Sequence, residues 1–301
     1  MPARDGWPLR SFDWPADREP RGSILFQGGR GDIIEKYLEL FGHWHFSGWN
    51  VASFDWRGQG GSARELDNPR KGYIRDFADY DRDLTCFMRE VVLPDCPPPY
   101  IALAHSMGAH ILLRNAVVPG SWFSRMVLVS PMIAFHDSKV APGQSAARLY
   151  AGLWSMVGLG ERYVRGGSDD PDVADDITFA NNELTSDRDR YARNRALQDA
   201  AREIVIGSAT VAWLRAAYAS CRMLADPGYP ARVMVPLLIF MAGKDRIVSP
   251  RAIEEFAAKL KLGRHIMLPT ARHEILQETD EVRALFWAAT DAYLDGMAKA
   301  A

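Results

Sequence analysis

The chain has 301 residues, enough for one large α/β domain with an insertion or for two small domains. Its 48% hydrophobic and 25% charged residues are those of a globular protein in water, and a formal net charge of −2 argues against a nucleic-acid binder, which would carry a basic surplus. Cys86, Cys96 and Cys221 are widely spaced; they suggest neither a disulfide framework nor a zinc site, and they favour a reducing, cytoplasmic compartment. The polar first 20 residues carry no apolar signal core, and no apolar run approaches the ~20 residues that span a membrane.

The first apolar strand is predicted over residues 23–26, ending in Gln27-Gly28-Gly29-Arg30-Gly31. This turn has neither a dinucleotide fingerprint nor the Lys of a phosphate loop. It suits a backbone N–H facing a developing oxyanion as well as it suits a plain tight turn. Ile33, Ile34, Tyr37, Leu38 and Phe41 follow at helical spacing. A second strand, 51–54, runs into Asp55-Trp56-Arg57-Gly58-Gln59-Gly60-Gly61-Ser62. That loop reads as structural, tied by the charges of Asp55 and Arg57. A helix over 74–92 is closed by prolines.

Next comes the stretch around which the chain is organised: Tyr-Ile-Ala-Leu-Ala-His-Ser-Met-Gly, residues 100–108. A buried strand, a tight turn with Ser106 at its apex and a helix would lift the hydroxyl above the carboxyl end of a sheet and aim backbone N–H groups at the same space. Gly108, and with one methyl more Ala104, are small enough for strand and helix to pass closely. Taken alone, the five residues also suit a serine capping an ordinary helix. A further strand, 126–129, keeps strands and helices alternating, which predicts a parallel sheet covered on both faces.

From about residue 136 to 229 no strand pattern occurs. Helices are predicted near 149–157 and 204–224, with the charged run 186–195 between them read as a solvated face, the alternative being that some of its Arg residues meet an anionic head group. This segment is predicted to be a helical cap inserted into a core of residues 1–135 and 230–301. Core packing is the default reading of nine Trp; the alternative is a greasy pocket, with Trp154, Met156, Trp213 and Tyr218 as the candidate acyl-chain wall. The alternation returns with a strand at 237–241 followed by Gly243-Lys244-Asp245. A helix capped by Ser249 and Pro250, a strand at 265–268, the loop bearing His273-Glu274 and a last helix from about 280 complete the chain.

Ser106, Asp245 and His273 each fall just past the carboxyl end of a predicted strand, where open α/β sheets place their sites. A serine hydroxyl needs a base to act as a nucleophile at neutral pH. Imidazole, with a pKa near ~6.5, can take the proton and return it to the leaving group. Asp245 would fix the tautomer of His273. The N–H of Met107 would be one oxyanion donor and that of Gly29 the second. His105 and His110 read as packing residues. His43 and His45, without a carboxylate pattern, do not read as metal ligands.

These residues resemble the α/β-hydrolase superfamily and, within it, the lysophospholipase L2 and monoacylglycerol lipase group of serine-aminopeptidase-like hydrolases. The resemblance rests on Gln27-Gly28-Gly29, Asp55-x-Arg57-Gly58-x-Gly60-x-Ser62, the Ser106 turn, Gly243-x-Asp245 and His273-Glu274. Leu184-Thr185-Ser186-Asp187 with Arg190-Tyr191 is similar to the cap of the bacterial lysophospholipase branch. Two positions depart from the pattern: Gln27 stands where the lipase branch usually has His, and Ala104 where Gly is commoner. The resemblance implies an α/β-hydrolase fold and a serine hydrolase cleaving long-chain acyl esters through an acyl-enzyme. The expected substrate is a lysophospholipid or monoacylglycerol, with no cofactor, metal or nucleic acid, no inferable protein partner, and a cap able to touch the inner membrane surface. A general carboxylesterase, an amide or peptide hydrolase, or a non-catalytic binding protein of the same fold are the alternatives.

Overall fold

The computed structural model describes residues 1, 6–137, 143–170 and 178–296; parts of the predicted cap, residues 138–142 and 171–177, lie outside the described residues. Seven strands form one sheet in the order β1-β3-β2-β4-β5-β6-β7. They are β1 (Ser11–Trp14), β2 (Ser23–Gln27), β3 (Asn50–Phe54), β4 (Tyr100–His105), β5 (Phe123–Val129), β6 (Leu237–Ala242) and β7 (Gly263–Leu268). All neighbours are parallel except β1, which runs antiparallel to β3 at the edge.

Every residue of β2, β3 and β6 is buried, as strands covered on both faces require. One face is packed by α1 (Leu38–Phe46) and the C-terminal helix, where Phe41, Trp44 and Phe286 meet Phe26 and Phe240. The other carries α2 (Ala78–Phe87) and α3 (Ser106–Asn115), with Leu84, Phe87, Ile111 and Leu112 against Ala102 and Leu128. The predicted alternation is therefore realised as an α/β sheet between helical layers.

Strand β1 was not expected from the polar N-terminal stretch. Only two of its four side chains are apolar; Phe12 stacks on Phe41 with ring centres 5.4 Å apart, so one packed face suffices at an edge.

Between β5 and β6 lie α4 (Gln144–Met156), α5 (Arg188–Ala200) and α6 (Val211–Leu224). Helix α6 begins later than its apolar pattern suggested, because the Thr210 hydroxyl oxygen accepts from Trp213 N at 3.2 Å and starts the helix there. Helix α5 is capped by Asp187, whose carboxylate accepts from Arg190 N at 2.8 Å. Its charges are more than a solvated face. Arg190 reaches Glu39 of α1 at 3.0 Å and Asp280 at 2.7 Å, and Arg193 reaches Glu39 at 2.7 Å, tying α5 to α1 and to the C-terminal helix. Asp280 opens the C-terminal helix, α8 (Asp280–Asp295), which follows α7 (Pro250–Ala257).

Candidate active site

The carboxyl ends of the parallel strands share one edge of the sheet, so loops far apart in sequence converge there. Ser106 directly follows β4 and has φ of 50°, a left-handed conformation that costs a non-glycine residue of order 1–3 kcal/mol. The close passage around it explains Gly108: a Cβ there would lie 2.5 Å from the Gly28 carbonyl oxygen and 2.7 Å from that of Gln27.

The structure brings Ser106, His273 and Asp245 into a chain of hydrogen bonds. The Ser106 hydroxyl is 3.1 Å from His273 Nε2, and His273 Nδ1 is 2.8 Å from an oxygen of Asp245. With Nδ1–H donating to the carboxylate, Nε2 is left as the acceptor for the hydroxyl proton. All three residues are buried. The other Asp245 oxygen accepts from Ile247 N at 2.8 Å and Val248 N at 3.0 Å. Burial alone would raise the Asp245 pKa, but His273 and these N–H groups hold it below the ordinary value. Burial likewise opposes charge on His273, yet the Asp245 carboxylate outweighs it and the imidazole pKa lies above its ordinary value. The backbone of His273 is also fixed: its carbonyl accepts from the Ser130 hydroxyl at 2.9 Å and from His105 Nε2 at 3.3 Å.

In the turn after β2 the Gly29 N–H, the expected second oxyanion donor, donates to a carboxylate oxygen of Asp32 at 2.6 Å. Gly29 sits against the nucleophile position, since a Cβ on it would lie 3.0 Å from Ser106 Cβ. Asp32 also accepts from Tyr37 Oη at 2.7 Å and Lys36 Nζ at 2.6 Å, and Lys36 reaches Glu274 at 2.5 Å. Burial works against the Asp32 charge, but Lys36 and His105 hold its carboxyl well below the usual range. Sequence reasoning missed this cluster. The only signals were the spacing of Asp32 and Lys36, one helical turn apart, and Glu274 beside His273.

A cavity of about 390 Å3 opens over Ser106 and His273. Met132, Phe135, Trp213, Ile247 and Val248 form its apolar side, while Arg30, Lys36, Arg70, Arg195 and Arg202 approach from the turn after β2 and from the loops and insertion around it. Of the candidate acyl-wall residues, Trp213 lines this cavity. Trp154 and Tyr218 are not among the lining residues: Trp154 packs on Tyr150 and is 38% exposed, and Tyr218 lies behind Phe135 with ring centres 5.0 Å apart. His105 and His110 are buried and bonded to backbone carbonyls. Among the described residues no group of three or more His, Cys, Asp or Glu is placed to hold a metal ion.

A seven-stranded, mostly parallel sheet with a serine at a strained strand-to-helix turn defines an α/β-hydrolase. The family of hydrolases described as serine aminopeptidase, S33, matches residues 18–280, and the chain belongs to it. Curated relatives include lysophospholipase L2 of Escherichia coli strain K12, 29% identical over 296 residues, covering 93% of this chain and 82% of that one. The probable lysophospholipase L2 of Haemophilus influenzae is 28% identical, covering 87% of this chain and 80% of its own. Among solved structures, a soluble variant of monoglyceride lipase from Saccharomyces cerevisiae superposes with a TM-score of 0.76 at 20% identity, covering 97% of this chain and 92% of that one. A carboxyl esterase from Bacillus coagulans gives 0.73 at 16% identity, covering 98% and 96%. At these identities the two structures speak to fold alone.

Proposed function

We propose that this chain is a serine hydrolase cleaving long-chain acyl esters of the lysophospholipid or monoacylglycerol kind. The observation that carries the reading is the hydrogen-bonded series from Ser106 through His273 to Asp245, at 3.1 and 2.8 Å, at the floor of a cavity with an apolar side. The names of the curated relatives supply the lipid part of the reading.

In this mechanism Ser106 Oγ attacks the ester carbonyl while His273 Nε2 takes its proton, then returns it to the departing alcohol. Water activated by His273 hydrolyses the acyl-enzyme. Met107 supplies one oxyanion N–H from the first turn of α3, where backbone donors have no helical partner. The second donor is the N–H of Gly29, which sits beside Ser106 and rests on Asp32 in the free site. The acyl chain lies along Phe135, Trp213 and Val248.

Residues 136–229 act as a cap over the core formed by 1–135 and 230–301. Leu149, Leu153 and Met156 are exposed on α4 and suit transient contact with a lipid surface, while no helix among the described residues is long and apolar enough to cross a membrane. Three free, buried cysteines suit a reducing compartment such as the cytoplasm.

The test is fatty-acid release from matched C16 substrates: a lysophospholipid, a monoacylglycerol and a methyl ester, with Ser106→Ala run beside the wild type. Release from the two glycerolipids that vanishes with Ser106→Ala supports the reading. Equal release from all three reduces it to a general esterase, and no release from any contradicts it.

A further inference from the structure

The cations around the cavity differ in what they are bonded to. Lys36 lies between Asp32 and Glu274. Arg202 pairs with Asp170, and Arg70 donates to the carbonyls of Asp169, Arg202 and Val205. Arg195 reaches the side-chain oxygen of Gln198 at 3.5 Å. Arg30 stands apart. Its Nη2 donates to the Gly207 carbonyl at 2.9 Å, and its guanidinium lies 5.1 Å from the centre of a Trp213 ring. Its Nε is buried with no hydrogen-bond partner, and among the described residues no carboxylate pairs with it.

Burial lowers the Arg30 pKa to about 10, so the group keeps its charge at neutral pH. Arg30 is half-buried, and taking a cation even partly out of water without a counter-charge costs free energy. Strongly perturbed ionisable groups in a cleft gather at functional sites. The Gly72 backbone packs closely on this side chain: a Cβ there would lie 3.3 Å from Arg30 Nη2 and 2.5 Å from Ile206 Cδ1. The anionic groups near the cavity do not supply the missing charge. Asp32 and Glu274 are held by Lys36, Asp170 by Arg202, and Asp199 is an exposed rim residue.

The position suits a substrate group close to the reacting ester. Gly29 is in contact range of Ser106, and the Cα of Arg30 is ~3.8 Å further along the chain. In a glycerol ester a phosphate on the far carbon is only a few bonds from the acyl carbonyl, within an arginine side chain's reach of Ser106. A guanidinium offers a planar fork of N–H donors that matches phosphate oxygens. We propose that the Arg30 side chain receives the phosphate of the substrate and makes the site selective for phosphate-bearing acyl esters over neutral ones. The proposal rests on the reading of Ser106 as the nucleophile of an ester hydrolase.

The test separates binding from turnover. In a Ser106→Ala protein, binding of 1-O-hexadecylglycerol 3-phosphate is compared with that of 1-O-hexadecylglycerol; neither ether can be hydrolysed. The phosphate ether is expected to bind about tenfold tighter or better, the scale of hydrogen bonds to a charged group. Adding Arg30→Gln should abolish that advantage, and Arg30→Lys, which keeps the charge without the fork, should restore part of it. Far-UV circular dichroism checks that each variant folds; should Arg30→Gln not fold, the graded loss in Arg30→Lys decides. Equal binding of the two ethers, or an advantage that survives Arg30→Gln, overturns the proposal. Inorganic phosphate alone distinguishes a free anion: Arg30-dependent binding of phosphate as tight as that of the ether overturns the lipid version.

A second arm uses the active enzyme. The readout is the ratio of kcat/KM for the C16 lysophospholipid over the C16 monoacylglycerol. That ratio should fall about tenfold in Arg30→Gln; an equal fall on both substrates points to a structural role and overturns the proposal. Failure of the wild type to cleave either ester contradicts the hydrolase reading instead, and the binding arm then still decides the role of Arg30.

Discussion

The Asp32 carboxylate accepts the backbone N–H of Gly29 at 2.6 Å while it holds the ammonium of Lys36 at 2.6 Å. One side chain thereby sets the shape of the turn beside Ser106 and joins it, through Lys36, to Glu274 next to His273. The turn after β2 and the loop after β7 become one unit.

Asp32→Ala should therefore be costly, since it leaves Lys36 with one carboxylate and Gly29 without an acceptor. Breaking a buried pair by removing one partner costs about 3–5 kcal/mol. Urea unfolding should show a loss of that order, with a larger relative fall in activity as the turn relaxes. The Asp32 pKa is depressed in the fold, so its contribution is complete above the unfolded value of about 3.9 and is lost as pH falls below it. The stability gap between wild type and Asp32→Asn should thus be constant near neutrality and narrow in acid. A gap that widened in acid would contradict this.

The pH profile reports on His273. The imidazole must be neutral to take the Ser106 proton, and Asp245 raises its pKa above the ordinary ~6.5. The acid limb of kcat/KM should have its midpoint above that value, with activity falling as pH falls through it. Asp245→Asn should lower kcat by about four orders of magnitude. Loss of the carboxylate should also move the remaining acid limb downward. A limb that does not move would separate Asp245 from the titration of His273.

Gly108 tests the tightness of the strand-to-helix passage. In Gly108→Ala the new methyl meets backbone oxygens of Gln27 and Gly28 at 2.7 and 2.5 Å, which cannot rotate away. Overpacking of this kind costs about 1–3 kcal/mol. The displaced atoms belong to the turn beside Ser106, so activity should fall further than stability. Wild-type turnover in this variant would contradict the geometry.

The apolar side of the cavity predicts a chain-length series. Each buried CH2 is worth ~0.8 kcal/mol, roughly fourfold in kcat/KM. Rates on p-nitrophenyl esters should climb steeply over several carbons, and Trp213→Ala should flatten the climb. A series that is flat beyond short chains would remove the acyl pocket.

Much of this was legible in the sequence, for physical reasons that differ by element. Strands β2, β3 and β6 are buried throughout and β4 at all but Tyr100, each around an apolar run, and Ser106, Asp245 and His273 stand just beyond strand ends where turn residues mark them. Strand β1 was hidden because an edge strand with one packed face needs only Phe12 and Trp14. The start of α6 was misjudged because Ile204 and Ile206 continue an apolar rhythm that the Thr210 cap interrupts. The engagement of Gly29 by Asp32 could not be read at all, since glycine carries no mark of where its N–H points. Trp154 and Tyr218 show the limit of composition: an aromatic residue in the inserted segment fits a cavity wall, a position behind that wall, or an exposed helix face equally well.

The most direct measurement of the central claim is the site of covalent labelling by a fluorophosphonate, read by intact mass and peptide mapping. The account predicts one adduct per chain, on Ser106, formed far more slowly in His273→Ala and absent in Ser106→Ala. An unlabelled chain, or an adduct that persists in Ser106→Ala, would contradict Ser106 as the nucleophile.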